Sequence, residues 1–582
     1  MRARSAFRLL TALLVLPFAC SSGGSSGGGT GGSTTGTGGT TATGGTTSTG
    51  GSPGQGGSTS GAGGSPATGT GGIVATGTGG RGSATGGAAG RGTTGTGGTA
   101  TGAGGATTGT GGSSGDQSVL ERNNHPSRDG VFVQPKITKA AAATLKLESA
   151  FKATFSGNMW ASPLYLQNGP GGKGVFFAVT TGNDVFALDE TTGATVWTKN
   201  LGSSPTANGV SCGNIHPLGI LSTPVINAST RTIYIGAAIG TNSITDHQIH
   251  ALSVDDGSPK TGWPVSVSKV TSGSMTFMPP PQNQRSALSL VGGKVYVAYG
   301  GHVGDCGPYH GWVVAVDAAD PTKVGAWATG GQGEGIWDAA GMASDGNGVF
   351  ALTGNSTVGA STHLDSEEAV RITGMGTKAD TFFPTSWKSM DTSDADLGAS
   401  NPVYFELPGS TPSKILAVLS KDGYMYLLDA TNLGGMGGQK ASLQVSNGTM
   451  SIHTAVATYT TAKGRYVVFG TNSGAMCASA NGEAIVSVLV GAGSPPKPTI
   501  AWCAPLAGPV TGPITTTTDG TSDAVVWYMS NGKLVAVDGD AGSSIFTSTE
   551  SCAGVRQWTS PIAVNGRIVV GADGKLCAWS AP

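Results

Sequence analysis

Charge is scarce in this chain. Only 11% of its 582 residues are Asp, Glu, Lys or Arg, and the formal net charge is −1, whereas an ordinary soluble domain is about one quarter charged. Without a basic excess there is no electrostatic footprint for nucleic acid or an anionic membrane surface. No apolar run reaches the roughly 18–20 residues that a membrane-spanning helix needs. No Cys-x-x-Cys occurs, which excludes zinc-ribbon and thioredoxin-type sites. No Cys-x-x-Cys-His occurs either, so no c-type haem is carried. Helical periodicity is almost absent.

The shortage of charge is uneven along the chain. Residues 21–115 hold 41 of the 101 glycines, two charges (Arg81 and Arg91) and almost nothing large. A tract of Thr-Gly-Gly and Gly-Thr units buries too little apolar surface to offset its ordering entropy, which predicts a disordered linker. A Gly-rich coil of about 95 residues spans roughly 50–60 Å. All 11 tryptophans lie beyond it, in a remainder long enough to bury a substantial core.

The N-terminus reads as an address. Arg2, Arg4 and Arg8 precede the apolar stretch Leu9–Leu16, and Ala19-Cys20 follows, the pattern of an export signal over residues 1–19. Cys20, followed by Ser21-Ser22-Gly23-Gly24, resembles a bacterial lipoprotein lipobox, although Pro17 stands where that pattern prefers Leu. The resemblance implies lipidation of Cys20, a stalk over residues 20–115, and a membrane partner reached through the lipid. The place implied is the bacterial cell envelope, at the outer membrane or cell surface. Six further cysteines, an even number in an exported protein, predict up to three disulfides among 15 connectivities.

From residue 156 onward short β-rich runs alternate with Gly, Asn and Asp turns. The clearest unit runs Ser162-Pro163-Leu164-Tyr165, then Gly174–Val179, then Val185–Asp189, then a fourth strand ending at Trp197. Four antiparallel strands recurring every 40–60 residues or so are the signature of a propeller blade. Further blades start at Ser222, run through Val295–Val297 to Trp327, and continue over residues 335–384, 401–445, 453–506 and 512–547. The last, from Trp558 to Trp579, has three strands only. Its missing outer strand is expected from Leu145–Phe155, which would close the ring and hide its edges. The count is eight blades, with seven as the alternative.

Ala187-Leu188-Asp189-Glu190-Thr191-Thr192-Gly193, closing on Trp197, resembles the repeat of the pyrroloquinoline-quinone (PQQ)-like β-propeller family. Partial copies are Ala315-Val316-Asp317 to Trp327, Leu428-Asp429-Ala430-Thr431 and Ala536-Val537-Asp538 to Gly542. The fold implied is all-β: an eight-bladed propeller of four-stranded antiparallel blades within residues 116–582. Propellers host unrelated activities, so the motif carries fold and little function.

Within that frame, the long second-to-third-strand connections of blades 2 to 4 (240–247, 300–310 and 354–366) stand out, since loops on a rigid ring concentrate binding residues. Tight turns are expected in the other five blades, including Asn472-Ser473-Gly474. Segments around Cys212–Pro217 and His302–Trp312 resemble a subgroup of exported PQQ-like propeller proteins. The expected ligand-binding set is Asn214, His216, His302, Asp305, His310 and Trp337, whose amide, imidazole and indole groups favour a neutral polyol, sugar or peptide. His302, Asp305 and His310 offer metal-type ligands, yet their spacing matches no metal motif and none is expected. Trp160, Trp337 and Trp558 fall just before inner strands, where they could line the channel mouth, and Arg285 could face an anion there.

Cys477 is expected to pair with Cys503 across the third and fourth strands of blade 6, where opposed Cβ atoms lie about 4.5–5.5 Å apart. Cys212 with Cys306 joins same-face loops of neighbouring blades, and Cys552 with Cys577 follows by elimination. The functional reading is a surface-tethered, monomeric propeller that binds a carbohydrate, polyol or protein without a cofactor and without nucleic acid. One alternative is a PQQ-dependent oxidoreductase acting on an alcohol or polymeric alcohol. The resemblance then implies a quinone over a Trp floor, a Ca²⁺ held by carboxylates and amide oxygens, and an Asp base, but no residue of this chain can be assigned to those roles. A second alternative is a scaffold for envelope assembly.

Overall fold

The computed structural model describes residues 115–582 except 339, 360, 449–451, 453, 478–481 and 507. The export signal, Cys20 and the stalk lie outside the described residues. Eight small sheets form the blades of a propeller. Blade 1 comprises Leu164–Leu166, Val175–Val179, Asp184–Asp189 and Thr195–Asn200, all antiparallel neighbours. The last blade contributes Ile562–Val564, Arg567–Ala572 and Lys575–Ser580. Its fourth strand is Lys146–Leu147, paired antiparallel with Ser580 and Trp579. The ring is therefore closed by strands from the two ends of the domain, as the spare strand in the sequence foretold.

The repeat motif does two jobs at each blade boundary. Asp189 ends a strand and its carboxylate accepts the amides of Thr191 (3.1 Å) and Thr192 (2.8 Å), shaping the turn. Gly257 occupies the matching turn of blade 2 at φ 70°, and a Cβ there would lie 2.8 Å from the Trp197 ring of blade 1. The Trp197 indole N–H donates to the Val254 carbonyl at 2.9 Å. Trp502 repeats the arrangement on Gly539 and Gly542 of blade 7. Glycine is needed because the preceding blade's indole packs against the turn backbone.

Two blades depart from the sequence reading. In blade 4 the inner strand is reduced to a bridge between Ala343 and Phe350, and Gly435–Met436 adds a parallel strand beyond Thr377–Phe383. In blade 6 the third strand is Ala484–Gly491, facing Lys497–Pro505. The connection after Gly464–Thr471 therefore runs from 472 to 483 and is long, where a tight turn was expected. Cys477 lies in that connection, outside any strand. It still pairs with Cys503, with Cα atoms 6.3 Å apart. Cys212–Cys306 and Cys552–Cys577 are also formed, at 5.8 and 6.2 Å. Three disulfides mark a protein of an oxidising, extracytosolic compartment.

The segment from 117 to 134, which carries no strand periodicity, lies inside the ring and touches the inner strand of every blade. Val119 exchanges two backbone hydrogen bonds with Tyr165 of blade 1, and the Leu120 carbonyl accepts from Ile226 of blade 2. Arg128 donates to the Leu288 carbonyl of blade 3 and the Met342 carbonyl of blade 4. The carbonyls of Ser127, Asp129 and Gly130 accept from Tyr404, Thr458 and Thr515 of blades 5, 6 and 7. Val131–Val133 then runs parallel to blade 7, and Gln134 reaches the Ala563 carbonyl of blade 8. Inner strands expose a free edge to the channel, and buried backbone groups there need partners. This belt supplies them.

Candidate functional site: the channel mouth

With the belt filling the channel, one end keeps a small cavity lined by Arg122, Trp160, Asn214, Arg285, Trp337 and Trp558, with Ile215, Leu221, Val303 and Ala399 between them. Each indole arrives from a blade-to-blade connection: Trp160 and Trp558 four residues before their inner strands begin, and Trp337 six before the Ala343 bridge. The free space is about 20 Å³, room for a water or two at most.

The aromatic groups are ordered. Trp160 and Trp558 stack with ring centroids 5.4 Å apart and planes 16° from parallel. The Arg285 guanidinium lies over Trp558 at 5.4 Å and over Trp337 at 5.8 Å. Arg556 lies over Trp160 at 5.0 Å and is held by Asp573. The chain of contacts thus reads Trp337, Arg285, Trp558, Trp160, Arg556. The Trp337 indole N–H is anchored on the Gly301 carbonyl at 3.0 Å.

Two of these cations lack a carboxylate. Among the described residues neither Arg122 nor Arg285 forms an ion pair. Arg122 donates to the Trp558 carbonyl (2.6 Å) and the Ser560 hydroxyl (3.0 Å), while its Nε is buried without a partner. Burial, reinforced by the nearby Arg128 charge, pulls its guanidinium down to about 9. Burial likewise lowers Arg285 to about 10, against the opposing pull of Asp396 and Asp305. Both shifts have the same largest cause: the charged form has lost water, and no carboxylate is paired with either guanidinium to make up the loss.

Of the six residues expected from the sequence, Asn214 and Trp337 line this cavity. His216 is exposed on the blade 1–2 connection. His302 is buried, its Nε2 lies 3.1 Å from the Pro280 carbonyl, and burial lowers it to about 4. His310 Nδ1 lies 3.1 Å from the Thr329 carbonyl. Asp305 is exposed and accepts from the Tyr309 hydroxyl at 2.7 Å. These four sit in the loops around the mouth, with His302 and His310 tying loop backbone down. Arg122 escaped the sequence reading because nothing in it revealed the belt. Trp160, Trp558 and Arg285 were visible through their place before inner strands.

No protein-family model matches the sequence, and no curated protein matches it. Solved structures do match in shape. The quinohemoprotein alcohol dehydrogenase from Comamonas testosteroni superposes with a TM-score of 0.57 at 15% identity, over 80% of each chain. A europium-containing methanol dehydrogenase gives 0.54 at 13% identity, over 79% of this chain and 89% of that one. BamB from Moraxella catarrhalis gives 0.46 at 14%, over 75% of this chain and all of that one. At such identities the likeness concerns fold alone: this chain shares the propeller fold of the two dehydrogenases.

Proposed function

We propose that this protein is a binding propeller, anchored by lipid at Cys20 and lifted off a bacterial envelope membrane by its stalk, whose channel mouth takes a ring-shaped carboxylate. One observation carries the reading. Arg122 and Arg285 converge on an indole-lined cavity that contains no carboxylate, and neither is ion-paired among the described residues. A carboxylate ligand would restore the lost counter-charge through charge-assisted hydrogen bonds, and its ring would stack on an indole face. The cavity is nearly closed, so entry requires Arg285 to lift from Trp337 and Trp558 and turn onto the ligand. The neutral ligand expected from the loop residues gives way here to an anionic one, because the groups that line the cavity include two arginines.

A uronic-acid sugar and a polycyclic quinone carboxylate share this chemistry. The quinoprotein reading also requires a Ca²⁺ site beside the quinone. The cavity lining contains no carboxylate, and among the described residues no group of three or more His, Cys, Asp or Glu side chains is arranged to hold a metal. These residues do not fit a Ca²⁺-held quinone, and no redox step is derived.

Calorimetric titration tests the reading, with oligogalacturonate in one arm and PQQ, with and without Ca²⁺, in the other. Binding in either arm should weaken at least tenfold in Arg285→Ala and fall with added salt. Absence of binding in both arms overturns the proposal. PQQ binding that depends on Ca²⁺ and supports dye reduction with alcohols replaces it with the oxidoreductase reading.

A further inference from the structure

A larger cavity lies away from the mouth. It is a cleft of about 540 Å³ beside blade 5, walled by residues 384–395, including the short helix Trp387–Ser393, and by Tyr424, Tyr426, Gln439, Ser442 and Asn447. Its volume falls in the range of about 300–1,000 Å³ typical of small-molecule sites. At the other blade boundaries described above a tryptophan fills the seam, but the fourth strand of blade 4, Thr377–Phe383, has none. There Asp380 caps the Leu433 amide at 2.7 Å instead. The helix Trp387–Ser393 forms part of the cleft wall through Ser389, Met390 and Ser393.

The polar groups of the cleft divide into two kinds. The charged ones are already engaged: Lys421 pairs with Asp394 (3.0 Å) and Asp396, and Asp422 accepts the Tyr426 hydroxyl (2.6 Å) and the Tyr424 amide (2.9 Å). Among the uncharged ones, the hydroxyls of Ser389, Ser393 and Tyr426 are also engaged, but three groups are free. Gln439 Oε1 is buried with no partner, and the hydroxyls of Tyr424 and Ser442 have none among the described residues. The Tyr424 and Tyr426 rings stack 6.1 Å apart at 27°. An unpaired buried acceptor is costly, so a ligand donor aimed at Gln439 would be rewarded.

We infer that this cleft is a second site, independent of the mouth, for a neutral saccharide. Free hydroxyls and an amide oxygen match the paired donors and acceptors of vicinal diols, and the tyrosine rings offer an apolar face for a pyranose. Lys421 is outnumbered by Asp394, Asp396 and Asp422, which disfavours an acidic ligand, and each of these carboxylates already accepts a protein donor. A peptide would need apolar anchor pockets, and the wall provides hydroxyls in their place.

Saturation-transfer NMR and calorimetry on the full exported chain, with cellotetraose, maltotetraose and mannotetraose as separate probes, test the inference. At least one should bind, and its affinity should drop tenfold or more in Gln439→Leu and in Tyr424→Ala, with melting temperatures showing both variants folded. Arg285→Ala should leave that binding unchanged, which separates this site from the mouth. Tyr424→Phe keeps the ring and should lose less than Tyr424→Ala. No binding of any probe overturns the inference, as does binding that both cleft variants retain.

Discussion

Arg128 and Glu121 form an ion pair of 2.9 Å inside the channel, with side-chain exposures of 0% and 8%. Arg128 also donates to the carbonyls of Arg122, Leu288 and Met342, so one side chain joins the belt to blades 3 and 4. Removing it leaves the Glu121 carboxylate buried without its cation, which typically costs about 3–5 kcal/mol. Arg128→Ala should lose stability of that order in denaturant unfolding. A loss under about 1 kcal/mol, the scale of an exposed ion pair, would show that the belt is dispensable.

Glu334 offers a pH test. It is buried, and burial raises its carboxyl to about 7 from the ordinary 4.5. The folded state therefore keeps a proton that the unfolded chain releases, and this contribution to stability is full below pH 4.5 and lost as pH rises through about 7. Glu334→Gln mimics the neutral acid. Thermal melts should show variant and wild type alike near pH 4.5, with the variant ahead by about 3 kcal/mol at pH 8. A constant gap across that range would refute the assignment.

The closing blade is stapled twice. Arg567 grips Glu148 through two hydrogen bonds, 2.9 and 2.6 Å, and lies over the Phe151 ring at 4.6 Å. Hydrogen bonds to charged groups contribute about 1.5–3 kcal/mol. Arg567→Ala should lower stability by that amount and increase hydrogen exchange at Lys146–Leu147 ahead of blades 2 and 3. Uniform exchange would show that the closure is held elsewhere.

The bridge Cys552–Cys577 spans 25 residues, for which loop-closure entropy predicts about 3–4 kcal/mol. The double Ser variant should lose stability on that scale under oxidising conditions. An unchanged unfolding midpoint would count against the closed bridge.

The blades were legible because their signals are local. Asp189, Gly193 and Trp197 each act within one turn or one seam, so spacing alone exposes them. The spare strand near Leu147 was legible from counting strands in the last blade. The belt was not, since its residues bond one by one to eight different partners and follow no period. Arg122 and Arg128 look like ordinary polar residues until the ring surrounds them. The third strand of blade 6 was misplaced because Asn472-Ser473-Gly474 has hairpin chemistry, yet the strand paired with Gly464–Thr471 begins only at Ala484. At the mouth, the indoles were visible by position, while the missing counter-charge for Arg285 is a property of three-dimensional neighbours.

The most direct measurement is a crystal structure of the protein soaked with trigalacturonate or with PQQ. The account predicts ring density against Trp558 or Trp337 at the channel mouth, its carboxylate on Arg122 or Arg285, and the Arg285 guanidinium moved off the indoles. Density elsewhere, or an Arg285 that keeps its place over both rings beside a saturating ligand, would contradict it.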